Sequence, residues 1–262
     1  MVVESSEAVR PRQGGPWRLA VIVVTVTGVI VILASLAGVA GAEIFWTSTG
    51  AGPAGVRAPG EIEAGMATMR GTQLALALAF FQIVTIAMTW AAARWLRRDG
   101  VQFLPCSWPR RGLLVIPVSV VVLLVTASAG GALVYQFDKP AFAADMKPFA
   151  DMAHTKAMWV LLIAAAVGAP LAEEVLFRGL LFAGLRASPL GFSGAALVSA
   201  VLWSALHVNY SIYGMALVLA IGLYFAWLRE RTGSLVPSLV CHSVYNGVIV
   251  LALAMAPEGA LG

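Results

Sequence analysis

The sequence predicts an all-α fold, a polytopic bundle of about seven membrane-spanning helices with a four-helix core at its C-terminal end. Three observations carry this. Of the 262 residues, 60% are hydrophobic and 11% charged, against about 25% charged in soluble domains. The apolar residues are gathered into long runs that recur along the chain. The arginines fall in short clusters between the runs, where the positive-inside rule places them. A formal charge of +4 and a pI near 9.4 are therefore signals of topology rather than of nucleic-acid binding. No phosphate loop, nucleic-acid motif, internal repeat or low-complexity tract is present.

Residues 1–16 are polar, with Pro and Gly, and read as a cytoplasmic tail. Residues 17–156 form the N-terminal helices and loops. The run 19–42 follows Arg10, Arg12 and Arg18. It exceeds the roughly 15 residues of a signal-peptide core and suits an uncleaved span. Residues 43–71 mix Gly, Pro and both charge signs, which predicts an external loop with a short interfacial helix around 61–70. A second span follows over 72–95. Arg94, Arg97, Arg98, Arg110 and Arg111 are the densest basic cluster, so this loop and the N-terminus with it are expected in the cytoplasm. A third span over 113–135 leads to an external loop lying on the membrane interface up to residue 156.

Residues 157–256 form the core and 257–262 a short tail. The apolar run 157–185 is long for one span and contains Pro170. Proline has no N–H, which predicts a kink there. Runs at 193–208, 212–227 and 235–255 follow, with Arg229, Glu230 and Arg231 marking another cytoplasmic turn. Neither cysteine, Cys106 or Cys241, is spaced for a metal knuckle or redox pair, and both read as packing residues.

Ionisable groups at membrane depth are costly and imply a function with a named partner. Five occur in the core: Glu173, Glu174, Arg178, His207 and His242. Glu174 precedes Arg178 by four residues, the order that favours helical pairing. Glu173 is turned by about 100° from Glu174 and needs a different partner, for which the histidines are candidates. His242 and Asn246 share a helix face, and both donate hydrogen bonds, so together they can stabilise an oxyanion. Glu173 with His207 can hold and deprotonate a water. Amide hydrolysis needs both functions.

Three segments, Glu173-Glu174-Val175-Leu176-Phe177-Arg178, Trp203-Ser204-Ala205-Leu206-His207 and His242-Ser243-Val244-Tyr245-Asn246, resemble the ordered motifs of the CAAX-protease and bacteriocin-processing family of intramembrane proteases. The second motif usually begins with Phe, and Trp203 departs from it while keeping an aromatic ring. The resemblance implies an intramembrane endopeptidase. In it Glu173 activates water with His207, Glu174 pairs with Arg178, and His242 with Asn246 forms the oxyanion site.

Plainer readings stand beside these. Glu174 and Arg178 serve equally as an architectural ion pair, and Glu173 as a second partner of Arg178. Trp203, Phe177 and Tyr245 are expected to be packing residues, His154 incidental, and Ser193 a helix N-cap rather than a nucleophile. A zinc bound by Glu173, His207 and His242 is the alternative to a metal-free glutamate mechanism, although no HExxH signature is present. Two other function classes remain: a catalytically idle immunity or assembly protein, and a small proton-relay transporter. The expected partners are a peptide or protein substrate at the membrane and the bilayer itself, with no nucleic acid. The expected location is a bacterial cytoplasmic membrane, with the N-terminus and the opening of the site on the cytoplasmic side. At 1.5 Å per residue His242 lies roughly 10 Å, and Glu173 roughly 18 Å, from that side.

Overall fold

A computed structural model of the chain describes residues 15–48, 59–97, 101–109, 112, 114–155 and 158–257. Among them the secondary structure is helical, with no strand. We number the helices α1 (Arg18–Ser48), α2 (Pro59–Leu96), α3 (Val115–Phe137), α4 (Lys139–Ala153), α5 (Met158–Arg186), α6 (Gly191–Ala205), α7 (Ile212–Thr232) and α8 (Val236–Met255). Six of them, all but α4 and α6, are long and apolar enough to cross a membrane. The fifth expected span, α6, has 15 residues and does not reach across a hydrocarbon core of about 30 Å by itself.

Two N-terminal expectations are corrected. Within the stretch 43–71, residues 43–48 and 59–71 belong to two long helices rather than to a loop holding a separate short one, and 49–58 lie outside the described residues. α1 runs on to Ser48, and α2 is one helix of 38 residues beginning at Pro59. Its Pro opens the helix, where a missing N–H is harmless. The following Ala, Met, Leu and Gln residues are strong helix formers, so nothing breaks it before the span. The expected interface loop before residue 156 is also largely helical. Asp138 caps α4 by accepting from the Ala141 N–H at 3.0 Å, with Pro140 in its first turn. Phe149, Met152 and Ala153 pack inward while Lys147 and Asp151 pair at 2.9 Å on the outer side.

α5 is the centre of the bundle and is not a simple kinked helix. Short α-helical pieces alternate with π-helical turns at Ala164–Gly168 and Glu174–Leu181. Pro170 has no N–H for the carbonyl four residues earlier, so the ladder slips, and the Ala169 N–H reaches back to the Ala164 carbonyl. Widened turns replace the sharp bend. Two carbonyls of this turn also accept from side chains, Ala164 from the Gln82 Nε2 of α2 at 3.0 Å and Ala165 from the Asn246 Nδ2 of α8 at 2.9 Å. Gln82 packs so tightly on Gly168 that a Cβ there would overlap its amide.

α1 and α2 pack side by side, close enough at Gly38 that a Cβ would lie 2.7 Å from the Ala77 carbonyl oxygen. Val23 of α1 fits against Gly184 of α5. The core then gathers Phe177, Leu180, Leu181 and Phe182 of α5 with Trp203 of α6 and Phe225 and Leu228 of α7. At one end of the bundle the connection 101–109 is sewn to the α7–α8 turn. The Leu235 N–H donates to the Pro105 carbonyl at 2.9 Å, and Arg229 Nη2 to the Gln102 carbonyl at 3.3 Å. Arg186 pairs there with Glu230 at 3.0 Å. The basic clusters at Arg186 and 229–231 therefore share this end with the connection 101–109; Arg98, Arg110 and Arg111 lie outside the described residues. The opposite end holds α4, the turn 206–211 and the end of α8, where His154 Nε2 lies 2.9 Å from the Ala256 carbonyl oxygen.

Candidate active site

Glu174 and Arg178 lie on the inner face of the second π turn, and their side chains are 1% and 0% exposed. Arg178 Nη1 donates to Glu174 Oε1 at 3.0 Å and Nη2 to the Gly222 carbonyl of α7 at 3.2 Å. The guanidinium also lies 4.3 Å from the centroid of the Trp203 ring and 5.1 Å from that of Phe225. Burying this charge is tolerable because a carboxylate, a carbonyl and two aromatic rings surround it, although its Nε has no hydrogen-bond partner among the described residues. The anticipated pair is therefore formed, and it ties α5 to α6 and α7.

Glu173 points to a different surface, as its rotation from Glu174 requires. Its side chain is 19% exposed, which makes it the reachable carboxylate of the two. Its Oε2 accepts from Trp203 Nε1 at 2.6 Å. The two glutamates then meet again across one imidazole. His242 places Nδ1 3.3 Å from Glu174 Oε1 and Nε2 3.9 Å from Glu173 Oε2. The sequence offers His242 as a candidate partner of Glu173 and as a companion of Asn246; its contact with Glu174 is new here.

His207 also meets Trp203. Its Nδ1 lies 3.1 Å from the Trp203 carbonyl oxygen, and its ring stands edge-on to Trp203 at 5.4 Å and to Tyr210 at 5.3 Å. His242 meets the same indole at 5.5 Å. Trp203 is thus the common neighbour of Glu173, Arg178, His207 and His242. Among the described residues no hydrogen bond joins His207 directly to Glu173. Asn246 lies one turn beyond His242 on α8, but its amide donates to the Ala165 carbonyl. One of its N–H groups is then committed to holding α5, and the other remains for a ligand. Among the described residues no three His, Cys, Asp or Glu side chains converge as a metal-binding group.

The sequence reading treated Trp203 as packing. It is both 3% exposed and a hydrogen-bond donor. The available signal was chemical, since a buried indole N–H seeks an acceptor and the nearest motif offers a carboxylate. Gln82, a polar side chain inside an apolar run, carried a similar signal. Asp145 and Ser211, which join α4 to the turn bearing His207, carried none. The Ser193 N-cap is not formed: α6 begins at Gly191 with no side-chain cap, and Ser193 is exposed within the helix.

The arrangement offers one accessible carboxylate flanked by an indole donor and an imidazole, a second imidazole nearby, and a carboxamide. These are the parts of a hydrolytic site. The family model described as "Type II CAAX prenyl endopeptidase Rce1-like" matches residues 155–248, which contain all of these groups. A protein of Bacillus subtilis (strain 168) named "Putative membrane peptidase YdiL" is 27% identical over 96 residues, covering 37% of this chain and 38% of that protein. The chain therefore spans well under half the length of this relative in the matched region. No solved structure matches the chain.

Proposed function

From a protease-family match on the C-terminal helices of an integral membrane bundle, we propose that this protein is an intramembrane endopeptidase that cuts a peptide near the membrane surface with a water activated by Glu173. The observation that carries this reading is the contrast between the two adjacent acids. Glu174 is fully buried and tied to Arg178, whereas Glu173 is partly exposed and, among the described residues, keeps Oε1 free of hydrogen bonds.

With Oε2 held by the Trp203 N–H, Oε1 is the basic atom that takes a proton from water, and His207, beside the same indole, orients that water. The hydroxyl oxygen bonds to the scissile carbonyl carbon, and the carbonyl π electrons move to oxygen. That oxyanion accepts hydrogen bonds from His242 Nε2 and from the uncommitted N–H of Asn246. The intermediate collapses with cleavage of the C–N bond, and Glu173 returns its proton to the departing amine. Glu174 and Arg178 act through His242, one holding its Nδ1 edge and the other holding Glu174.

The test is purified full-length protein incubated with a peptide library in detergent, in parallel with Glu173→Gln. The amide keeps the shape and cannot accept the proton, so cleavage should fall by about 10² to 10⁴ with the melting temperature unchanged. Activity within tenfold of wild type would remove Glu173 from the mechanism. The scheme uses no metal, so a strong chelator should leave cleavage intact. Loss on chelation with recovery on adding zinc would replace it with the zinc version built on Glu173, His207 and His242.

A further inference from the structure

His207 is carried by a turn rather than by a helix. α6 ends at Ala205, and the turn 206–211 is held locally by backbone bonds from Leu206 N–H to the Trp203 carbonyl at 3.1 Å and from His207 N–H to the Ser204 carbonyl and Tyr210 N–H to the His207 carbonyl, each 2.9 Å, with His207 Nδ1 3.1 Å from the Trp203 carbonyl oxygen. Beyond these, side chains of α4, outside the family-matched residues 155–248, reach the far end of the turn. Asp145 of α4 is 5% exposed, and its carboxylate receives both donors of Ser211. The backbone N–H reaches Oδ1 at 2.5 Å and the hydroxyl reaches Oδ2 at 2.7 Å. The Ser211 hydroxyl in turn accepts from the Gly214 N–H at 3.1 Å and caps α7. Gly214 has no side chain where Oδ2 lies, and a Cβ would overlap it. One turn further along α4, the Phe149 ring meets Tyr210 edge-on at 6.3 Å, and Tyr210 meets His207.

We propose that Asp145 is a positioning residue for His207: α4 fixes the 206–211 turn through the Asp145–Ser211 bonds and the Phe149–Tyr210 contact, and so sets where that imidazole stands relative to Glu173. This rests on the protease reading given above. No cation pairs with Asp145 among the described residues. Its charge is met instead by the two Ser211 donors and the positive end of α7. Charge-assisted bonds of this kind are short and directional. They fix a turn in one place in a way that an apolar contact of the same size does not. Asp145 and Phe149 are four residues apart and share a face of α4, so a single helix face holds the turn at two adjacent positions.

The chain has three histidines, which makes imidazole NMR on histidine-labelled, full-length protein in detergent a direct readout, with assignments from single histidine substitutions. In Asp145→Ala the His207 signal should move or broaden while the His242 signal stays in place. Amide hydrogen exchange over 206–211 should quicken by about tenfold or more, with exchange in α8 unchanged. Asp145→Asn keeps an acceptor for the Ser211 N–H and should fall between Asp145→Ala and wild type. On whatever library peptide the wild type cleaves, kcat should drop by about tenfold to a hundredfold with KM nearly constant, since the defect is in orientation and not in substrate binding. An unchanged His207 signal and unchanged exchange in Asp145→Ala would overturn the proposal. So would equal displacement of His207 and His242 in both Asp145→Ala and Ser211→Ala, which would mark Asp145 as general architecture. If Asp145→Ala does not fold, Asp145→Asn and Ser211→Ala decide by the same readouts. If the wild type cleaves no peptide, the protease reading fails, and the spectra and exchange rates still decide whether Asp145 positions His207.

Discussion

Trp203 is the residue on which the site turns. A phenylalanine at this position would keep an aromatic surface for Arg178 and the two histidines, but it has no donor for Glu173 Oε2. In Trp203→Phe the carboxylate loses its 2.6 Å bond and is free to rotate away from His242. Hydrogen bonds to charged groups contribute about 1.5 to 3 kcal/mol, so kcat/KM should fall by roughly tenfold to a hundredfold with the fold intact. Steady-state kinetics of this variant beside its melting curve makes the check. An unchanged kcat/KM would show that the indole serves only to pack. The orientation of Glu173 relative to Glu174 was legible from helical rotation alone. The indole bond was not, because it depends on which helix stands opposite.

At the scale of elements, α5 is held through polar contacts with its neighbours on α2, α7 and α8. Gln82 and Asn246 take the Ala164 and Ala165 carbonyls, and Arg178 reaches the Gly222 carbonyl of α7. Arg178→Ala should therefore do more than remove a charge. It leaves Glu174, whose Oε2 already has no hydrogen-bond partner, as a buried anion, and it releases α7. Breaking such a pair costs about 3 to 5 kcal/mol, so the variant should lose most of its thermal stability in detergent. The double variant Glu174→Gln, Arg178→Met should recover part of that loss, because it removes both charges and keeps much of the volume. A fully stable Arg178→Ala would show that the pair does not carry α5. Pro170 announced an irregularity in this helix, but only the partners on α2 and α8 decide that it becomes widened turns instead of a bend.

For the whole molecule, the sewn end of the bundle brings Arg186, Arg229, Arg231 and the connection 101–109 together. From the positive-inside rule we propose that this end, and the N-terminus with it, faces the cytoplasm. Cys106 is exposed at this end and Cys241 is buried, so the natural sequence already carries a reporter. Cysteines at Gly191 or Gly233 serve less well, because both glycines have positive φ, 62° and 68°, where a side chain is strained. An impermeant thiol reagent should modify Cys106 only after the cytoplasmic face is opened. In Cys106→Ser, Gly50→Cys, which places the thiol in the stretch between α1 and α2, it should react in intact cells. Labelling of Cys106 in intact cells would invert the topology and with it the cytoplasmic route to the site.

Composition and run length by themselves determined an α-helical membrane bundle, because a chain in hydrocarbon must satisfy its backbone internally and only about 20 apolar residues span the core. Motif spacing also determined that Glu174 meets Arg178, since i and i+4 are neighbours on any helix. Tertiary structure alone decided that His242 lies between the two glutamates, that Asn246 holds a carbonyl of α5, and that α4 reaches the turn beneath His207. Each of these contacts joins residues far apart in the chain, the nearest being 66 residues apart. Helical periodicity reports which face a side chain occupies, and it is silent on which other helix that face will meet.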